Sequence, residues 1–339
     1  MSTIDQAVDA PAVLRLSSAF ATSRILHSAV ELGVFEFLDG GPASGEEVRR
    51  ELGLHPRLVR DFLESLRALG LLERGGEEYR NTAVTTAFLV AGRQGYLGGR
   101  IRTAATRHYP AWGRLSEALR EGGLEHTAGP AVFERLYADP ARARAFLEHM
   151  DANNALVAPQ LAEHVDWSEF RSFVDLGGAR GNIAAHLVTA HPQLHGGVFE
   201  LPPVRPLFDE LMAELGTESK VDFHPGDFFT DPLPSADVLI LGHVLHDWSA
   251  GQRAEIVGRV HAALPPGGVM IVYDQMLDDE DPDLPSLIGS LNVALMTPGG
   301  SEYTVSEGRV LAEKAGFTVT RITRLPRGND TVLVARKAR

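Results

Sequence analysis

The sequence predicts an α/β protein, with a doubly wound, mostly parallel sheet in its carboxyl-terminal half and a helical amino-terminal part. From residue 173 onward, short apolar runs alternate with helix-length amphipathic segments, which is the pattern of strand–helix–strand units. A Gly-rich turn at 177–181 follows the first of these runs. Before residue 100, in contrast, apolar residues recur at helical spacing.

The alternation predicts the elements of the sheet domain one by one. Strands are predicted at 173–176, 196–199, 220–223, 237–242, 268–274 and 331–336. Helices are predicted at 182–190, 204–215, 251–263 and 305–315. Because no helix follows the last strand, we expect that strand to close the sheet in the antiparallel direction.

The amino-terminal part has the pattern of a winged helix. Apolar residues at helical spacing cover Val13–Leu38, and two shorter helices are expected at Ser44–Leu52 and Arg57–Leu69. Gly75-Gly76 then separates two short runs that would form the hairpin, or wing. Val13–Leu38 is rich in apolar and small residues and has no obvious partner within so small a domain. We therefore expect it to bind a second copy of the chain.

Composition excludes several classes of function. A net charge of −13 disfavours binding to nucleic-acid phosphates and anionic membranes. The absence of cysteine excludes disulfides, thiolate nucleophiles and thiolate-bound zinc. The first residues lack the basic and apolar regions of a secretory signal, and no apolar run is long enough to span a membrane. We expect a cytoplasmic location.

The winged-helix pattern also raises the alternative of a ligand-responsive DNA-binding regulator. Arg57, Arg60 and Arg67 could line a recognition helix. Five acidic residues share this region: Glu46, Glu47, Glu51, Asp61 and Glu64. A solvated face of mixed charge therefore accounts for the region better than a DNA contact does.

The Gly-rich turn and the acids around it indicate a nucleoside-containing cofactor on a Rossmann-like sheet. Asp175 precedes a turn in which Gly177, Gly178 and Gly181 would let the backbone approach a ligand closely. Glu200 lies 25 residues after Asp175, at the end of the next predicted strand, where it could accept hydrogen bonds from ribose hydroxyls. A purely steric use of glycine in a tight turn is the alternative.

Two further segments follow strands at the same sheet edge. Asp227 and Phe228 could bind an exocyclic amine and stack on a purine, or could belong to a turn with buried aromatics. His246 could serve as a base near neutral pH, with Asp274 or Glu302 fixing its tautomer. A metal site that uses His243, Asp247 or His246 is the alternative for this segment.

In the order of these motifs, the chain resembles the S-adenosylmethionine (SAM)-dependent O-methyltransferases of the plant-like caffeate/hydroxyneurosporene type, in their bacterial branch. The matching segments are Asp175–Gly181, Glu200–Pro202, Gly226–Phe229, Leu245–Trp248 and Gly299–Thr304. The resemblance implies a winged-helix dimerisation domain at 1–100, a helical connector contributing to the substrate pocket at 101–165, and a class I methyltransferase domain at 166–339.

The resemblance also implies roles for single residues. Gly177, Gly178 and Gly181 would surround the methionine end of SAM, and Glu200 would hold its ribose. Asp227 and Phe228 would hold the adenine. His246 would be the general base, positioned by Asp274 and Glu302. The other residues expected at the cofactor are Asp175, Leu201, Gly226, His243, Asp247 and Trp248. Those expected at the substrate are Met150, Asn153, Asn292 and Met296, with His108, Tyr109, Trp112 and Asn154 as further lining candidates.

Four positions depart from the family pattern. Ala179 replaces a glycine, and we expect its methyl group to be tolerated with a negative φ. Glu200 replaces the commoner aspartate, a longer arm with the same chemistry. Gly242 stands where many plant members carry a lysine, which would remove one contact to the cofactor. Asp274 replaces a glutamate, which shortens the arm that would reach His246.

The expected reaction is therefore SAM-dependent O-methylation of a small aromatic hydroxyl substrate, of the natural-product type, by a homodimer. No metal and no nucleic acid are expected to take part. Methyl transfer to carbon, nitrogen or sulfur on the same scaffold is the alternative, since an activated aromatic carbon beside a phenol would use the same base.

Overall fold

The computed structural model describes residues 9–93, 95–124 and 132–339 of the chain. It divides into two compact units, residues 1–109 and 110–339. The described helices include none that is both long and apolar enough to cross a membrane.

The first unit combines six helices and a small antiparallel sheet in its described residues. Its helices are α1 (Ala10–Glu31), α2 (Val34–Asp39), α3 (Gly45–Glu51), α4 (Pro56–Ala68), α5 (Ala83–Leu89) and α6 (Gly98–Thr103), followed by a π-helical turn at Ala104–His108. Its strands are β1 (Ala43–Ser44), β2 (Leu72–Gly75) and β3 (Glu78–Asn81), in the order β1-β3-β2. The predicted hairpin is therefore present, as are the two short helices before it.

The helical spacing over Val13–Leu38 corresponds to two helices, α1 and α2, with a break between them that the spacing did not indicate. Gly33 adopts a left-handed φ of 73° between them, a conformation that ends helices and that glycine adopts at low cost. On the amino-terminal part of α1, Leu14 and Leu16 are each 70% exposed and Phe20 is 61% exposed. These apolar side chains have no cover within the first unit.

The second unit is built on a seven-stranded sheet with helices on both faces. Its helices are α7 (Tyr109–Trp112, which begins at the unit boundary), α8 (Leu115–Glu121), α9 (Val132–Tyr137), α10 (Pro140–His164), α11 (Asn182–Ala190), α12 (Arg205–Leu215), α13 (Ala250–Ala263), α14 (Leu284–Met296) and α15 (Val305–Lys314). Its strands are β4 (Ser172–Leu176), β5 (His195–Glu200), β6 (Val221–Pro225), β7 (Val238–Gly242), β8 (Val269–Asp274), β9 (Phe317–Arg324) and β10 (Thr331–Lys337).

The strand order is β6-β5-β4-β7-β8-β10-β9, and β4 to β8 run parallel. β10 is antiparallel to both neighbours, which confirms the prediction for the last strand. Along β7, Ile240 joins one buried apolar cluster, whereas Leu239 and Leu241 join the other. Both faces of the sheet are therefore covered, as a doubly wound arrangement requires.

Strand β9 was missed by the sequence analysis. It lies at the sheet edge and alternates threonine with apolar and charged residues. An edge strand that is largely exposed needs no continuous apolar run, so the pattern that revealed the central strands is absent here.

Candidate active site

The carboxyl ends of the parallel strands bring the predicted acids to one edge of the sheet. Asp175 is near the end of β4, Glu200 ends β5, and Asp274 ends β8. His246 lies in a short 3₁₀ turn, Leu245–Asp247, just after β7. This is the edge at which open α/β sheets bind ligands, because the loops after neighbouring strands meet there.

His246 forms a buried pair with Glu302. Its Nδ1 lies 2.7 Å from Glu302 Oε1, and the two side chains are 12% and 1% exposed. The same nitrogen is 3.6 Å from Asp274 Oδ1, beyond hydrogen-bond reach. Of the two acids predicted to position the imidazole, Glu302 therefore makes the hydrogen bond.

The charges around His246 favour its protonated form. Burial opposes the imidazolium, but Glu302, Asp274 and Asp247 together raise the pKa of His246 well above its usual value. Burial likewise opposes the Glu302 carboxylate, yet the positive charge of His246 and its hydrogen bond bring the pKa of Glu302 below its usual value. In the unliganded site His246 and Glu302 therefore form an ion pair, and the imidazolium must release a proton to solvent before the neutral imidazole can act as a base.

Asp274 is held by a tyrosine. Tyr303 donates its hydroxyl to Asp274 Oδ2 at 2.7 Å, and both residues are fully or almost fully buried. Burial raises the pKa of Asp274 to about 8, and the nearby Glu302 adds to this. Asp274 thus belongs to the electrostatic surroundings of His246. Tyr303 was not predicted, although its place between Glu302 and Thr304 in a family motif was a usable signal.

The loop that carries Glu302 is fastened to the His246 turn. Ser301 donates its backbone N–H to His246 O at 2.9 Å. Arg253 of α13 donates to Leu245 O and to Ser301 O, at 2.9 and 2.5 Å. A Cβ at Gly300 would lie 2.7 Å from His246 O, so glycine is needed for this close approach.

The Gly-rich turn is tight and leaves no room for side chains at two of its glycines. Gly177 has a φ of 72°, and a Cβ there would lie 2.8 Å from Val244 Cγ2. A Cβ at Gly178 would lie 2.7 Å from the Asp175 carboxyl group. Gly181 has a φ of 89° at the amino end of α11.

The expectation of a negative φ at Ala179 is wrong. Its φ is 51°, in the left-handed region, where an L-residue with a Cβ is strained by about 1–2 kcal/mol. Ala179 is 6% exposed, and its backbone N–H donates to Glu200 Oε2 at 3.3 Å. The turn keeps the shape that glycine would adopt, and the neighbouring contacts hold the alanine in it.

Glu200 occupies the end of β5, where the sequence placed it. Besides Ala179, it accepts from the Leu201 backbone N–H at 2.7 Å. Burial raises the pKa of Glu200 to about 7, against the effect of these two hydrogen bonds. Hydroxyl donors would favour the ionised carboxylate, as expected for a ribose-binding acid.

Asp227 and Phe228 lie in the turn after β6. Asp227 Oδ1 accepts from the backbone N–H of Phe229 at 2.8 Å. The rings of Phe228 and Phe229 meet Trp248 edge-on at 5.8 and 4.7 Å. Gly226 precedes them, and a Cβ there would lie 2.5 Å from Phe199 Cζ. The aromatic turn and Trp248 therefore form one structural unit beside the Gly-rich turn.

His243 is packed and paired at the end of β7. Its φ is 52°, its ring meets Tyr273 edge-on at 5.3 Å, and its Nε2 lies 3.2 Å from Asp330 Oδ1. Asp330 was missed, since a polar residue just before the last strand carries no motif. At Gly242 a Cβ would lie 1.8 Å from Tyr273 Cζ, so the Tyr273 ring excludes any side chain at this position.

A metal-binding alternative would use the two predicted histidines with a different acid. Donor atoms of His243, His246 and Asp274 lie within 4.8 Å of one another. Asp274 rather than Asp247 would complete that set.

The substrate residues separate into two groups. Trp112 donates its indole N–H to Asn292 Oδ1 at 2.5 Å, and Met296 packs in the same small apolar cluster as Trp112. Met150 instead packs against the main core, and Asn153 Nδ2 lies 3.4 Å from His149 Nε2 on the same helix. Asn154 is buried in α10, while His108 and Tyr109 belong to the first unit.

The residues of this edge fit a cofactor with a ribose and a polar end. Asp175 Oδ2 is buried and accepts no hydrogen bond from the described residues. Burial and the neighbouring Glu200 raise the pKa of Asp175 to about 8. An open acceptor beside glycines that keep side chains away is the environment expected for a ligand with donor groups.

Comparisons with known proteins give the family. Residues 112–318 match the O-methyltransferase domain, and residues 14–91 match the O-methyltransferase dimerisation domain. The tetracenomycin polyketide synthesis 8-O-methyl transferase TcmO of Streptomyces glaucescens is 49% identical over 329 residues, or 96% of each chain. The N,N-dimethyltransferase OxyT of Streptomyces rimosus is 45% identical over 319 residues, or 93% of each chain.

Solved structures of methyltransferases have the same fold as this chain. Human N-acetylserotonin methyltransferase in complex with SAM has a TM-score of 0.90 at 28% identity, with full coverage of both chains. PigF with S-adenosylhomocysteine (SAH) has a TM-score of 0.89 at 26% identity and covers 97% of this chain and 100% of its own. The chain therefore belongs to the O-methyltransferase family, as a SAM-dependent methyltransferase that forms a homodimer through its amino-terminal domain.

Proposed function

We propose that this enzyme methylates a phenolic hydroxyl of a small aromatic substrate of the natural-product type, with His246 as the general base. The observation that carries the proposal is the buried hydrogen bond of 2.7 Å between His246 Nδ1 and Glu302 Oε1. This bond fixes the imidazole and commits Nδ1, so that Nε2 is the nitrogen left to take the proton of the hydroxyl.

The chemistry needs alignment and a proton acceptor. SAM supplies an already activated methyl group on a sulfonium. A phenol with a pKa of about 10 is mostly protonated at neutral pH, so a base within reach contributes about 10²- to 10⁴-fold. Holding the reactants in line contributes about 7–11 kcal/mol. After proton transfer, the imidazolium of His246 is stabilised by the Glu302 carboxylate.

Other residues of the edge would hold the cofactor. In this proposal Glu200 binds the ribose, Asp227 and Phe228 bind the adenine, and the turn with Gly177, Gly178 and Gly181 surrounds the methionine end. Asp175, Leu201, Gly226, His243, Asp247 and Trp248 support these contacts. Met150, Asn153, Asn292 and Met296 belong to the acceptor pocket.

Two relatives suggest the substrate class and a second candidate. TcmO is named for methylation of an oxygen in polyketide synthesis, and OxyT for dimethylation of nitrogen. The buried His246–Glu302 pair favours oxygen, because a neutral amine attacks through its own lone pair without losing a proton first. Transfer to an aromatic amine is the second candidate, and carbon or sulfur acceptors remain outcomes of the same assay.

The test is transfer of an isotope-labelled methyl group from SAM to a panel of phenolic and amino-substituted aromatics, with the site of methylation located by mass spectrometry. His246→Ala should lower transfer to oxygen about 10²- to 10⁴-fold. His195→Ala, an imidazole 53% exposed, is the matched control and should act like the wild type. Transfer to oxygen that survives in His246→Ala contradicts the base assignment. Loss of activity on chelator treatment would favour the metal-assisted alternative.

We also propose a division into three segments and a cytoplasmic location for this chain. We assign residues 1–100 to a winged-helix dimerisation domain, 101–165 to a connector that helps form the substrate pocket, and 166–339 to the catalytic domain. A cytoplasmic location follows the expectation from the sequence, and cell fractionation tests it. A gel-shift assay at low salt tests the alternative of a DNA-binding regulator.

A further inference from the structure

An ion pair to which the proposed function gives no role joins helix α10 to the Gly-rich turn. Arg180, inside the turn, places its Nε 2.5 Å from Asp151 Oδ2 on α10. The two side chains are 12% and 15% exposed, so the pair is largely removed from water. Asp151 directly follows Met150, a residue expected at the substrate. The pair therefore links the turn assigned to the cofactor with a helix assigned to the acceptor.

Only one of the two carboxylate oxygens of Asp151 accepts a hydrogen bond from the described residues. Asp151 Oδ1 is buried and accepts no hydrogen bond from the described residues. Burial raises the pKa of Asp151 more than the nearby Arg180 lowers it, and Glu148 and Glu214 add to the rise. A buried acceptor without a donor is costly and uncommon in native proteins. The site lacks one donor, and a positively charged donor would suit it best.

The amino-acid end of SAM carries both groups that would complete the site. Its α-ammonium has hydrogen-bond donors and a positive charge, and its carboxylate has a negative charge. An Arg180–Asp151 pair offers the opposite charges at neighbouring positions, so an ammonium and a carboxylate can both find a partner. A neutral thioether nucleoside without these groups could not complete the pair.

Asp175 is the competing acceptor, because its Oδ2 is also open. It lies beneath the turn, where the Cβ position of Gly178 is 2.7 Å from its carboxyl group. The causes that shift the pKa of Asp175 are burial and the negative charge of Glu200, both of which favour the neutral acid. Asp151, in contrast, has the Arg180 guanidinium 2.5 Å away, and that positive charge opposes part of the effect of burial on its pKa. The anionic partner of an ammonium is therefore Asp151.

We infer that Asp151 Oδ1 accepts a hydrogen bond from the α-ammonium of SAM, with Arg180 fixing the Asp151 carboxylate and lying beside the cofactor carboxylate. The inference rests on SAM dependence and not on the acceptor atom or on His246. Occupation of this site would tie the position of α10 to the presence of the cofactor, before any acceptor binds.

The experiment is titration calorimetry of the full-length protein with two ligands. SAH carries the α-amino and carboxyl groups, whereas 5′-methylthioadenosine has the same nucleoside and thioether without them. Asp151→Asn should weaken SAH binding about 10- to 100-fold, the value of a hydrogen bond to a charged group, and should change 5′-methylthioadenosine binding less than about twofold. Arg180→Met should likewise weaken the binding of SAH more than the binding of 5′-methylthioadenosine.

The matched control is Glu210→Gln. Glu210 accepts from Arg144 of α10 at 2.8 and 2.7 Å, so the variant removes an ion pair from the same helix and leaves the hydrogen bond between Arg180 and Asp151 in place. It should bind both ligands like the wild type. Equal losses for both ligands in Asp151→Asn would show a merely structural ion pair and overturn the inference. Unchanged SAH affinity in that variant would overturn it too. Thermal unfolding of each unliganded variant verifies that the protein tested is folded.

Discussion

Replacing Glu302 with glutamine should move the pH profile of the enzyme in a direction that the site geometry dictates. The amide keeps an oxygen that can accept from His246 Nδ1, so the imidazole retains its orientation. What disappears is the negative charge 2.7 Å from that nitrogen. Because this charge raises the pKa of His246, its removal should lower that pKa.

The magnitude follows from the type of bond that is lost. A hydrogen bond between charged groups contributes about 1.5–3 kcal/mol, and one pKa unit corresponds to about 1.4 kcal/mol. The pKa of His246 should therefore fall by about 1–2 units. Asp274 and Asp247 still raise the pKa of His246 in this variant. The burial of His246 and the His243 ring, whose centroid lies 5.5 Å from that of His246, are unchanged.

The assay is kcat/KM for labelled methyl transfer between about pH 5 and pH 10, since this ratio reports groups of the free enzyme. In the wild type, activity should rise with pH through a pKa above the usual value for histidine, because the neutral imidazole is the base. In Glu302→Gln this acidic limb should lie about 1–2 pH units lower. Glu307→Gln, in the capping box of α15, is the control and should leave the limb unchanged.

Two results would refute the reasoning. An acidic limb that stays in place in Glu302→Gln would mean that the titrating group is not His246. A limb that moves to higher pH would mean that the carboxylate does not favour the imidazolium.

Three further changes test other parts of the structure. Ala179→Gly should stabilise the protein by up to about 1 kcal/mol, because glycine relieves the left-handed strain but adds freedom to the unfolded chain; urea denaturation would measure this, and destabilisation would contradict it. Tyr303→Phe should cost about 1–3 kcal/mol, because the buried Asp274 loses its donor; a loss below about 0.5 kcal/mol would show that the hydroxyl bond matters little. Phe20→Asp on the exposed face of α1 should shift the homodimer toward monomer in sedimentation experiments, and an unchanged dimer would place the interface elsewhere.

Consecutive residues were enough to predict the parallel strands of the second unit and the helices between them. Strand–helix alternation depends on local periodicity, and the Gly-rich turn depends on backbone freedom, so both are visible in a short stretch of sequence. The order of motifs was enough for the family. The exposed edge strand β9 and the break at Gly33 were missed, because neither leaves a continuous apolar signal.

The tertiary structure alone decided how the site works. Asp274 and Glu302 follow His246 by 28 and 56 residues, and nothing in that spacing says which one bonds to the imidazole. The choice of Glu302 depends on Ser301, Arg253 and Gly300 fastening its loop to the His246 turn.

The tertiary structure also revealed two unusual positions at the edge assigned to the cofactor. Ala179 adopts a left-handed φ, and the Tyr273 ring of β8 covers Gly242 of the neighbouring strand β7. Sequence determines what each residue can do chemically and which local structure it favours. Packing between distant segments determines which groups meet, because a hydrogen bond or a close contact depends on differences of about 1 Å that no spacing along the chain specifies.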